Sequence, residues 1–211
     1  DTHTFIDMLQ VSKTNAFLIL KHDTIIYEYY APGYDASSIH TSFSANKSVI
    51  ALLLGIAIDE GYINSVDDPI TKYISDFEDT NMSKVTLRHL LDMRSGLKFD
   101  ENYYNPFAEI GKYYYGKNLK KKIRKLKLIK EPGGEYNYQS VNTLLLGLAI
   151  ENATGTSLYQ YYENKLWQPL HMEYDATLNV DDTNNLTAKA FCGLNARARD
   201  YAKIGLVCLN K

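Results

Sequence analysis

A chain of 211 residues is long enough for one domain, or two intimate lobes, with a substantial core. A formal charge of −2 excludes a global field that would draw in nucleic acid or an anionic membrane, and 45% hydrophobic with 23% charged residues is the balance of a soluble globular protein. Two cysteines, Cys192 and Cys208, and five histidines without ligand spacing exclude a disulfide framework and indicate no metal, and no run reaches transmembrane length.

Residues 4–9 read as a short helix. The β-branched and aromatic runs 16–20 and 24–30, separated by Lys21, His22 and Asp23, predict a hairpin that ends in a turn at Pro32 and Gly33. Residues 49–54 and 56–58 are apolar on every helical face, with only Gly55 between them, which predicts a buried helix. Gly61 stands where its left-handed C-terminal cap belongs. Asp67, Asp68 and Pro69 offer a helix start leading into 70–74, and Thr86 caps a helix over 87–93 that Gly96 stops.

Tyrosines crowd residues 103–115, and lysines crowd 117–130. Leu119, Ile123 and Leu126 at helical spacing predict an amphipathic helix there. Its basic face is either simply solvated or a dock for an anionic polymer or membrane surface. After the break at Pro132-Gly133-Gly134, residues 144–150 predict a second apolar helix ending near Gly155. Ser157 with Gln160 has the form of a capping box for a helix to Trp167. Residues 175–185 read as polar loop, and Asn195 as the cap of a last helix over 196–209.

The chemistry concentrates at Phe43-Ser44-Ala45-Asn46-Lys47, at the mouth of the first apolar helix. Residues three apart share a helical face. A serine hydroxyl becomes a competent nucleophile when a base within hydrogen-bond reach takes its proton, and a neutral lysine can be that base. Free N–H groups of a first turn could polarise a carbonyl under attack. A capping serine beside a solvated lysine would produce the same letters. The spacing also recurs at Ser95 and Lys98, but behind a helix end, where no free N–H groups converge.

Several further motifs fall in order: Asp59-Glu60-Gly61, the run from Leu87 through His89-Leu90-Leu91 to Ser95-Gly96-Leu97, Pro132-Gly133, Tyr138-Gln139-Ser140, Leu145-Leu146-Gly147, Phe191-Cys192-Gly193 and Arg199-Asp200-Tyr201. From about residue 16 onward the chain resembles the serine β-lactamase and penicillin-binding-protein superfamily, and its class C branch with esterases and nylon-oligomer hydrolases most closely. The resemblance implies an α+β, β-lactamase/transpeptidase-like fold in a single domain over 1–211. Hairpin and nucleophile helix would occupy 15–60 and a mostly helical lobe 61–211, with the C-terminal sheet strands missing.

It also implies roles. Ser44 would be the nucleophile of a hydrolase that cleaves an amide or ester through an acyl-enzyme, its own N–H forming half of an oxyanion hole. Lys47 and Tyr138 would share the acid–base work. Two tyrosines compete for the second motif, and the distance to Gly147 favours Tyr138 over Tyr136, which makes Ser140 the substrate-binding or proton-relay position. Substrates would be small or peptide-like amides or esters, with neither metal nor cofactor. The alternatives are a D-alanyl-D-alanine peptidase, a β-lactamase, or a non-catalytic module of the same fold. The family's third motif, Lys or His followed by Thr/Ser-Gly, is absent. The 211 residues alone are therefore expected to be inactive and to pair through an uncovered sheet. Resemblance favours a periplasmic or extracytoplasmic setting; the first residue, Asp1, is compatible with a removed export signal and leaves the compartment open.

Overall fold

The structure, a computed structural model, describes residues 4–209. Thr4 caps α1 (Phe5–Val11) reciprocally: its Oγ1 accepts from the Asp7 N–H at 3.2 Å, and the Asp7 carboxylate accepts from the Thr4 N–H at 2.8 Å. The predicted hairpin forms, with β1 (Ala16–Lys21) antiparallel to β2 (Thr24–Tyr30). His22 and Asp23 turn the chain at φ 48° and 61°, the left-handed pair that matches the right-handed twist of the strands. A short strand, β3 (Ile39–Thr41), was not legible in the sequence.

The core is built on two helices. α2 (Asn46–Asp59) packs against α6 (Ser140–Thr154). Every residue of α6 from Ser140 to Ile150 is buried, as an apolar helix should be. α2 departs from that expectation. It buries Val49, Ile50, Leu53, Leu54 and Ala57 but leaves Ser48, Ala51 and Gly55 exposed along one side. Small residues alternate there with the large ones, and only the large side carries the core. Gly61 at φ 77° and Gly155 at φ 65° end the two helices in the left-handed conformation that glycine adopts without steric cost. The N–H groups of Tyr62 and Ile63 then close onto the Ala57 carbonyl at 3.0 and 3.1 Å.

Between the two helices the chain is less regular than the periodicity predicts. Residues 70–72 form one 3₁₀ turn entered through extended Pro69, because Asp68 spends its carboxylate on Tyr73 and Lys72 instead of capping. α3 (Leu87–Leu91) is capped by Thr86 as expected. It is ended by Met93 at φ 56°, ahead of Gly96. Gly96, at φ 71°, is instead required by close approach: a Cβ there would stand 2.3 Å from the Lys130 carbonyl oxygen. α4 (Glu109–Tyr114) follows. The expected basic amphipathic helix is only α5 (Leu119–Ile123), although Leu119, Ile123 and Leu126 are all buried as its stripe requires.

Beyond α6 comes α7 (Leu158–Tyr162), whose Ser157 hydroxyl bonds the Gln160 side chain and caps no backbone N–H. β4 (Thr177–Leu178) emerges inside the predicted loop and pairs with β5 (Leu194–Arg197), which also pairs with β3, giving the order β3-β5-β4. Asn195 therefore lies within a strand and does not cap α8 (Ala198–Leu209). α8 packs on β1, and Arg199 clamps the Glu28 carboxylate of β2 with two bonds of 2.8 and 2.7 Å. The hairpin itself is thinly covered: none of its residues is buried, and Ile19, Ile25 and Ile26 are exposed.

Candidate active site

The site forms where β3 runs into α2. The Ser42 N–H holds the Leu194 carbonyl of β5 at 2.9 Å, and the chain then coils through a 3₁₀ turn, Phe43–Ala45. Phe43 sits at φ 43°, a conformation a bulky side chain rarely adopts and one that a rigid surround must hold in place. The turn leaves Ser44 exposed at the mouth of α2, one turn before the α-helix proper. Its Ala45 N–H is already spent on the Ser42 carbonyl at 3.0 Å, so the expected cluster of free N–H groups is narrower than a clean helix start would give.

Lys47 lies in the first turn of α2 and is half-buried. Its Nζ is 3.1 Å from the Ser44 Oγ and 3.0 Å from the Phe191 carbonyl oxygen, so the amine is aimed at the serine. The Tyr138 ring closes another side, with Nζ 5.0 Å from its centroid. The Tyr138 hydroxyl itself makes no hydrogen bond to Ser44 or Lys47. Tyr136, the competing phenol, is exposed at 59%. Ser95, of the second Ser/Lys spacing, is buried and bonds Asn142 at 2.7 Å, while Lys98 is exposed; that pair is structural.

Ser140 is the first residue of α6 and is buried. Its N–H and its hydroxyl both donate to the Glu101 carboxylate, at 2.8 and 2.5 Å. Tyr103 donates its phenol to the same carboxylate, and burial followed by that bond pushes the phenol above its ordinary range. Between Tyr138 and Ser140, the buried Gln139 amide donates to the carbonyls of Leu97 and Phe99 at 3.0 and 3.1 Å.

Sequence reasoning passed over Glu101, Asn46 and the Phe191 carbonyl. Asn46 is wholly buried: its Nδ2 donates to the Ala190 carbonyl at 2.7 Å, and its Oδ1 accepts from the Tyr162 hydroxyl at 2.6 Å. It fixes the segment whose next carbonyl, that of Phe191, holds Lys47. An amide at the start of an otherwise apolar buried helix was a readable signal, since such a group must be satisfied. Glu101 carried none, being one acid in an irregular stretch. Beside Lys47, burial pushes the Cys192 thiol up to about 11, with the lysine charge pulling the other way. Among the described residues no group of side chains could hold a metal ion.

A family model described as Beta-lactamase matches residues 11–206. The 6-aminohexanoate-dimer hydrolase of Paenarthrobacter ureafaciens is 28% identical over 212 residues, covering 96% of this chain and 53% of that protein. The structure of a proposed 6-aminohexanoate-dimer hydrolase from Bacillus anthracis superposes with a TM-score of 0.86 at 26% identity, over 99% of this chain and 57% of that one. A penicillin-binding protein from Bacillus halodurans shares the fold at a TM-score of 0.75 and 20% identity, over 96% and 73% of the two chains. The chain thus spans about half the length of the hydrolase it matches. The β-lactamase/transpeptidase-like fold expected from the motifs is the fold found.

Proposed function

The chain belongs to the β-lactamase family, and on that premise we propose that the protein carrying it hydrolyses an amide or ester bond through an acyl-enzyme on Ser44. The observation that carries this reading is the 3.1 Å contact between the Lys47 amine and the Ser44 hydroxyl at a strained, solvent-facing turn. In the forward step the Ser44 Oγ attacks the carbonyl carbon while its proton passes along that contact to the Lys47–Tyr138 pair. The Lys47 amine lies 5.0 Å from the Tyr138 ring centroid, so the two side chains share the acid–base work as a pair. The same pair returns a proton to the leaving amine or alcohol. Water then adds to the acyl carbon and frees Ser44. The Ser44 N–H supplies one oxyanion donor.

The substrate class is a small or peptide-like amide or ester, supported by the similarity to an enzyme described as a 6-aminohexanoate-dimer hydrolase. A D-alanyl-D-alanine peptidase or β-lactamase is the second reading, supported by 33% identity over 150 residues to a proposed D-alanyl-D-alanine carboxypeptidase of Escherichia coli O157:H7, where 67% of this chain is covered. A cephalosporin reporter separates the two: saturable turnover favours the second reading. For the general reaction, hydrolysis of a p-nitrophenyl ester by the full-length protein should fall roughly 10²- to 10⁴-fold in Lys47→Ala and Tyr138→Phe. Undiminished hydrolysis in either variant removes that residue from the mechanism.

A further inference from the structure

We propose that Glu101 is a positioning residue for the reaction: by holding both the N–H and the hydroxyl of Ser140, it fixes the start of α6 and so the placement of Tyr138 two residues before it. The proposal rests on the acyl-enzyme reading above and asks what keeps the phenol in place.

Three ties converge on the segment that carries Tyr138. The Asn137 N–H donates to the Met93 carbonyl at 2.7 Å. The Gln139 amide spans the Leu97 and Phe99 carbonyls. Ser140 then commits two donors to one carboxylate, at 2.8 and 2.5 Å. The first tie is backbone to backbone, and the second depends on the neutral Gln139 amide. The third depends on a carboxylate, the one charged group of the three. A carboxylate receiving donors at the first turn of a helix also meets the positive end of the helix dipole, which adds to the bond strength.

The same carboxylate also accepts from the Tyr103 phenol. The Tyr103 phenol that bonds it stands within electrostatic range of Tyr138, and the Cys192 thiol feels both Glu101 and Lys47. Among the described residues the Tyr138 hydroxyl has no hydrogen-bond partner, and its ring lies against the Lys47 amine. Its position is therefore inherited from its neighbours along the chain. A displacement of about 1 Å in such a group costs on the order of 100-fold in rate. Ser140, being buried and with its hydroxyl already donating to Glu101, acts in this scheme as the link between the two and not as a substrate contact.

The test is the rate at which a fluorophosphonate labels Ser44 in the full-length protein, together with kcat and KM for an activated ester. Glu101→Gln keeps the size but removes the charge and one of the two acceptor oxygens, so the side chain no longer accepts from both the N–H and the hydroxyl of Ser140. Labelling and kcat are expected to fall roughly 10- to 100-fold with KM within about two-fold of its original value. Glu109→Gln is the control, because Glu109 makes a like bond to the N–H of neighbouring Asp100 at 2.8 Å without touching Ser140; it should keep the original rate. Where Glu101→Gln does not fold, Ser140→Ala removes the hydroxyl half of the link and should still slow labelling about ten-fold. A wild-type rate in Glu101→Gln or Ser140→Ala, or an equal loss in Glu109→Gln, overturns the proposal. An unmodified protein that takes no label at Ser44 overturns the acyl-enzyme reading itself, and this proposal with it.

Discussion

Asn46→Ala is the sharpest stability test the structure offers. The side chain is wholly buried and pairs two groups that cannot reach solvent: the Ala190 carbonyl at 2.7 Å and the Tyr162 hydroxyl at 2.6 Å. Removing it strands both. Each stranded buried group costs roughly 1–3 kcal/mol, so the variant should lose about 2–6 kcal/mol, a large share of a typical domain's stability. Burial already holds the Tyr162 phenol in its neutral form, so ionisation gives it no escape. The assay is urea unfolding followed by far-UV circular dichroism, reading the midpoint at fixed slope. Asn46→Asp separates the two contacts, since it keeps an acceptor for Tyr162 but has no donor for Ala190. It should be at least as unstable as the alanine variant, because it adds a buried charge. A loss below about 1 kcal/mol for Asn46→Ala would refute the reasoning, because it would mean that the two partners find others or are not buried as the structure has them.

Three further outcomes are expected. Gly147→Ala puts a Cβ 2.7 Å from that of Ala190 and 3.1 Å from Leu158 Cδ2, so despite alanine's better helix propensity it should lower stability by about 1–3 kcal/mol in the same unfolding assay. The Arg199 guanidinium, through its hydrogen bonds, holds the Glu28 carboxyl down from its ordinary 4.5 to about 2. A depressed carboxyl stabilises the fold above the unfolded value and loses that contribution as pH falls from about 4.5 through about 2; thermal melts should show this acid loss, and Arg199→Ala should flatten it. The exposed Ile19, Ile25 and Ile26 of the hairpin should make the 211-residue chain associate with rising concentration in analytical ultracentrifugation; a sedimentation coefficient independent of concentration contradicts this.

How much of this was written in the sequence depends on what each signal rests upon. Where the physics is local, the reading was good. The hairpin follows from two alternating runs around a short polar turn, and the two core helices follow from apolar stretches closed by Gly61 and Gly155. Reading failed where a distant partner decides the outcome. Asn195 looks like a helix cap by position, yet its side chain links Thr41 and Asn179, both brought near only by the β3-β5-β4 sheet. Leu119, Ile123 and Leu126 kept their helical spacing and are buried, but the helix beneath them is five residues long. The stripe reports which residues face the core, not how far the helix runs. At the site, the spacing of Ser44 and Lys47 was visible as one pattern among two. What separates it from Ser95 and Lys98 is the Phe191 carbonyl and the Tyr138 ring, contributed from elsewhere in the chain. Glu101 was invisible for the same reason: its meaning lies in Ser140, 39 residues later.

The central claim is that one hydroxyl, that of Ser44, takes the acyl group. Treating the full-length protein with a fluorophosphonate and locating the adduct by peptide mass tests it directly. The expected result is a single modification on the peptide bearing Ser44, absent from Ser44→Ala. Modification at Ser95, at another residue, or at none in a folded protein contradicts the account.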